Sequence, residues 1–137
     1  MSNLIHDEYG NIYVTGYEIL LGTYGYCTVK YSAAGNKEWQ SRVSTPPGYA
    51  AEGTNVAVDG CNAPYVIGHL PNTGSNNNYG IINYDAINGD TLWLVWYDSL
   101  GNNDNGHFIQ IDQSGCVYVA GQSAFDDIVT IKYLLFV

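Results

Sequence analysis

Asp98, Asn102, Asp104 and His107 stand within one ten-residue stretch, DSLGNNDNGH, that opens at Asp98. Carboxylate and amide oxygens gathered in a loop are the donor set of a calcium site. The spacing is not that of an EF-hand, and no bidentate glutamate follows it. Calcium at Asp98, Asn102 and Asp104 is therefore the alternative, and no cofactor the expectation. His6, His69 and His107 form no HExxH pair, which argues against zinc. The chain has no GxSxG elbow, no phosphate-cradling GxxxxGK(S/T) loop and no GxGxxG turn. Its carboxylates are scattered among turn residues, where water keeps their acidity ordinary. These observations point to a non-catalytic chain, with binding or scaffolding as its role.

The same stretch is one of several long polar connections, the places where binding usually resides. Ser44 to Gly53 and Asp98 to His107 make one class; Glu18 to Gly22, His69 to Asn78 and Gln122 to Asp127 make the other. Their candidate ligand-binding side chains are Tyr49, Glu52, His69, Asn76, Asn77, Asn102, Asn103, Asp104 and His107. Amide hydrogen bonds and aromatic stacking from such residues suit a sugar or a peptide. As plain solvated turns they would hold nothing.

The elements that carry these connections repeat. DEYGNIYVTG from Asp7 returns as DGCNAPYVIG from Asp59 and DQSGCVYVAG from Asp112, at spacings of 52 and 53 residues. Gly16, Gly68 and Gly121 keep the same spacings, and Tyr13, Tyr65 and Tyr118 each fall six residues after the Asp. CTVKY, GIINY and VTIKY follow, and Trp39 corresponds to Trp93. Periods of this size belong to solenoids and propellers. Within each repeat, short runs rich in β-branched and aromatic residues lie between turn clusters, with no helical period. The Asp opens a turn by accepting backbone N–H groups, and a Gly closes it with positive φ. In the middle repeat Asp59-Gly60-Cys61-Asn62-Ala63-Pro64 departs from that pattern, and Pro64 predicts an irregular strand start.

Each full repeat reads as four antiparallel strands, A to D, and the chain as an all-β row of β-propeller blades. The blades span about 4–43, 54–98 and 107–137, the last one lacking its D strand. DEYGNIYVTGY, TVKYSAAGNKEW and SLGNNDNGHFIQIDQSGCVYVAGQS resemble the bacterial and archaeal β-propeller repeat known as SBBP, over about Ile5 to Tyr133. The resemblance implies blades, usually in larger and often exported proteins, and implies no catalytic residues.

Three blades cannot close a ring, since propellers have about four to eight. The chain is thus expected to be part of a longer propeller or to self-associate. Two copies, with the isologous symmetry common among dimers, would make six blades. A net charge of −9, with Lys30, Lys37, Arg42 and Lys132 the whole basic complement, argues against nucleic acid and anionic membranes. MSNLIHDEYG has neither a basic start nor an apolar run, and Cys27, Cys61 and Cys116 lack CxxC spacing, so the compartment stays open. Lys30 and Lys132 share one strand-C position, with Asn83 between them. A lysine between packed blades must pair, and Asp126 or Asp127 is the expected partner of Lys132. Trp39, Trp93 and the recurring tyrosines read as core.

Overall fold

The computed structural model describes residues 2–71, 76–99, 103–123 and 127–134. Eleven strands and no helix are found among them: β1 (Asn3–His6), β2 (Ile12–Leu20), β3 (Thr23–Tyr31), β4 (Lys37–Ser44), β5 (Glu52–Val58), β6 (Pro64–Pro71), β7 (Asn77–Tyr84), β8 (Thr91–Tyr97), β9 (Asn105–Ile111), β10 (Val117–Gln122) and β11 (Ile128–Tyr133). They form three antiparallel meanders, β1-β2-β3-β4, β5-β6-β7-β8 and β9-β10-β11. The four, four and three strands match the count expected from the repeat.

Three copies of one turn start these sheets. Asp7 Oδ1 accepts the backbone N–H of Tyr9 and Asn11, both at 2.9 Å. Asp59 does the same for Cys61 and Ala63 at 2.9 Å, and Asp112 for Ser114 and Cys116 at 2.8 and 3.0 Å. Gly10 (φ 81°) and Gly115 (φ 80°) supply the left-handed residue. Asn62 takes that place in the middle turn at φ 64°, because asparagine tolerates this conformation better than most side chains. The middle strand start is therefore regular, contrary to expectation: β6 begins at Pro64, which pairs with Val58.

The middle sheet is buried on both faces. Val56, Val66, Leu70, Ile82 and Tyr84 pack against Tyr13, Tyr26 and Trp39 of the first sheet. Ala57, Tyr65, Ile67, Tyr79 and Ile81 pack against Ile109, Val117 and Val119 of the last. Strand alternation sends neighbouring residues to opposite layers, which is why both sets interleave in sequence. The first strands β1, β5 and β9 lie in sequence against one another.

The repeated glycines stand where strand one of each sheet crosses strand two. A methyl group at Gly68 would overlap the Glu52 carbonyl, and one at Gly121 the Asn105 carbonyl. At Gly16 it would press on the Ser2 side chain. The ladder also shifts register there, between Gly53 and Asn55 and between Ala120 and Gly121.

Candidate functional site

One tyrosine hydrogen bond between sheets repeats along the chain, and a lysine–tryptophan clasp occurs once among the described residues. Tyr26 donates its hydroxyl to the Gly80 carbonyl at 3.2 Å, and Tyr79, one sheet on, to that of Val129 at 3.4 Å. Lys30 and Trp39 Nε1 both donate to the Ala86 carbonyl, at 2.9 and 3.1 Å, clasping the turn between β7 and β8. Lys30 also pairs with Glu38 at 2.7 Å. Glu38 is the extra residue of a bulge, since Lys30 faces Trp39 and Tyr31 faces Lys37. In the middle sheet Asn83 replaces the lysine and Leu92 the glutamate at the corresponding bulge, so both members of the pair change together.

Lys132 has different company from that expected. It lies over the Tyr118 ring at 5.1 Å, and Tyr118 donates to Asp112 at 3.0 Å. The hydrogen bond with Tyr118 is the main cause holding its pKa above the usual lysine value, and Asp112 adds to it. Asp127 precedes β11, whereas Lys132 sits near its far end, opposite Tyr118; strand length separates them. Asp126 lies outside the described residues.

Matching the three sheets row by row defines the two faces at the ends of the stack. On the first sheet Leu4, Val14 and Val29 form one cross-strand row. Its counterparts, Val56-Val66-Ile82 and Ile109-Val119-Ile131, are packed into the layers between sheets. Leu4 is 63% exposed, whereas Val56 is 4% and Ile109 5%. On the last sheet the open row Gln110-Tyr118-Lys132 corresponds to Ile5-Tyr13-Lys30, which faces the middle sheet. Beside it Phe108, Ala120 and Thr130 border a shallow groove of about 180 Å³. Phe108 and Ile128 are 66% and 85% exposed. The first sheet departs from the apolar pattern only toward its outer strand. There Glu18, Gln40 and Arg42 stand where the middle sheet has Leu70, Leu94 and Trp96. Glu18 bonds Gln40 at 3.2 Å and Arg42 at 3.3 Å.

The predicted ligand-binding residues divide into three groups. Glu52, His69 and His107 converge on one cleft of about 570 Å³ at the start of the first strands. Asn77, Asn103 and Asp104 instead latch a connection to a strand: Asp104 donates its N–H to the Asn77 carbonyl at 2.7 Å, and Asn77 donates to Asn103 Oδ1 at 3.0 Å. The fully buried Asp104 carboxylate accepts from Ser99 N and Oγ at 2.7 and 2.6 Å, and Ser99 Oγ meets Ser123 at 2.8 Å. Both of its oxygens are engaged in holding the loop. Asp98 and Asn76 lie beside the same connections; Asn102 lies outside the described residues. Tyr49 belongs to a separate turn, donating its N–H to Pro46 O at 3.2 Å. Among the described residues no group of three or more His, Cys, Asp or Glu side chains is placed to hold a metal ion.

Two features of the connections were misjudged from sequence. The first B–C connection is the two-residue turn Leu21-Gly22, with φ of 51° and 77°, because β2 runs on through Glu18 and pairs with β3 up to Leu20 and Thr23. His69, Asn77 and Asn78 are strand residues. Residues not singled out one by one are Asn3, Asn55 and Asn105, which line the cleft with Thr54 and Phe108; they stand on β1, β5 and β9 of three different sheets, and the packing of one sheet on the next brings them together. The described cysteines are free. The chain matches no protein-family model and no curated protein.

Proposed function

We propose that this chain is a non-catalytic binding or scaffolding module of β-propeller blades, three to a chain, closing a ring by head-to-tail association with a second copy. The observation that carries the reading is the open pair of end faces. The open face of the first sheet repeats the apolar row that buries the second and third sheets against their predecessors. The open face of the last sheet repeats the tyrosine–lysine row by which the first sheet grips its successor. One face therefore fits the other as the interior layers already fit. Burying the exposed Leu4 contributes up to about 1.5–3 kcal/mol and the half-buried Val14 and Val29 less, whereas the polar Glu18–Gln40–Arg42 cluster at the rim is worth little. Two such contacts, related by a two-fold axis, close six blades. Lys132 of one copy then reaches the Ala33 carbonyl of the other, as Lys30 reaches Ala86. The resemblance to SBBP repeats supports the blade geometry.

Light scattering over a concentration series tests this reading. A mass of twice 15.0 kDa is expected, and a 15.0 kDa particle throughout would overturn it. Val29→Asp and Ala120→Asp, on opposite end faces, each abolish the dimer while leaving the circular-dichroism spectrum unchanged. Mixing the two variants restores a weaker pair through the one undamaged contact. If only one substitution matters, the copies meet through a single face and the head-to-tail arrangement is wrong.

A further inference from the structure

The cleft of about 570 Å³ is formed within one chain, by all three first strands: Asn3 from β1, Glu52 and Asn55 from β5, and Asn105 and His107 from β9, with His69 reaching in from β6. Its volume is that of an ordinary small-molecule site. A chain of amide bonds sets its floor. Asn3 Nδ2 donates to Asn55 Oδ1 at 2.9 Å, and Asn55 Nδ2 donates to the His107 carbonyl at 3.1 Å. Thr54 ties the same strands by donating to Gly106 O at 2.5 Å. These bonds hold the strands in place before any ligand arrives, which lowers the ordering cost of binding. Each bonded amide group retains a second N–H.

The chemistry of the lining selects the ligand. There is no lysine or arginine in it, so no ammonium or guanidinium side chain pairs with a phosphate or a carboxylate there, and the net charge of −9 repels anions. One carboxylate, Glu52, is too little for a dication, and the described residues offer no metal cluster. Beside Glu52, the cleft presents a mixture of donors and acceptors: amides, a hydroxyl and two imidazole rings. Burial pushes the His69 pKa down, which leaves a ring with one donor and one acceptor at neutral pH. Phe108 adds an exposed aromatic ring at the rim. Paired donors and acceptors beside an aromatic face match vicinal hydroxyls beside a C–H face. We infer that this cleft is a binding site for a neutral carbohydrate.

The test titrates the whole protein with cellobiose, maltotriose and N,N′-diacetylchitobiose, followed by backbone amide NMR shifts. At least one of these probes is expected to give saturable shifts centred on Asn55, His69, Asn105 and His107 at millimolar concentration. His107→Ala and Asn105→Ala should each weaken that binding by about tenfold, roughly the loss of one or two hydrogen bonds. Both leave the end faces untouched, so particle mass in the same samples reports the ring reading separately. The inference is overturned if none of the three sugars produces saturable shifts, or if binding survives both substitutions at full strength.

Discussion

Gly68 stands on β6 where it pairs with the start of β5, opposite Gly53. Its α-carbon lies against the Glu52 carbonyl, and backbone cannot step aside as a flexible side chain can. Gly68→Ala is expected to cost about 3 kcal/mol, the upper end of overpacking, as read by urea unfolding. Gly60→Ala, in an exposed turn with nothing nearby, should change stability by less than about 0.5 kcal/mol. His69 makes a prediction of a different kind. Burial depresses its pKa below 6.5, so the unfolded chain takes up the proton first and stability falls as pH drops below that value. Glu52 on β5, Tyr79 on β7 and His107 face it. His69→Gln should flatten the decline in urea midpoint between pH 6.5 and the onset of carboxylate protonation.

At the scale of the element, three turns of unlike sequence share one geometry because only two requirements are strict. An aspartate must accept two backbone N–H groups, and one residue must take positive φ. Asn62 meets the second requirement less well than glycine would, although its amide also donates to Glu8 at 3.1 Å. Asn62→Gly is therefore expected to be neutral or stabilising by up to about 1 kcal/mol, and Asn62→Ala destabilising by about 1–2 kcal/mol. Thermal unfolding of the two variants side by side measures the difference. The bulge at Glu38 works by the same economy of means: one additional residue aims a carboxylate at Lys30, and where the lysine is absent the acid is absent too.

At the scale of the molecule, both layers between sheets are rich in tyrosine. Burial pushes Tyr13, Tyr79 and Tyr84 up to about 12 and Tyr26 well above its ordinary value. The folded state thus holds phenolic protons that the unfolded chain has lost, so stability falls as pH rises above about 10. The part of the ultraviolet tyrosinate signal that comes from these buried tyrosines should appear together with loss of the circular-dichroism spectrum, in one cooperative step. Association adds a second dependence. If the end faces meet as proposed, melting temperature rises with protein concentration for the natural chain and is flat for Val29→Asp.

The repeat, the four-strand unit and the three strands of the last sheet were legible in the sequence because each is enforced locally. An Asp-turn, a crossing glycine and an alternating apolar run act over a few residues. The middle turn hid only because asparagine can do what glycine does there. The cleft was half visible: Glu52, His69 and His107 stood out as polar residues of the connections, whereas Asn3 and Asn55 looked like ordinary strand residues and Asn105 like one more polar residue of the Asp98–His107 connection. Their meeting depends on the packing of sheets whose first strands are some fifty residues apart, which no local pattern encodes. The same holds for Lys132, whose neighbours Tyr118 and Asp112 come from cross-strand pairing rather than from the nearer acids in sequence. Sequence alone determines which residues can lie on a face; only packing of one sheet on the next decides which faces are filled and which remain open.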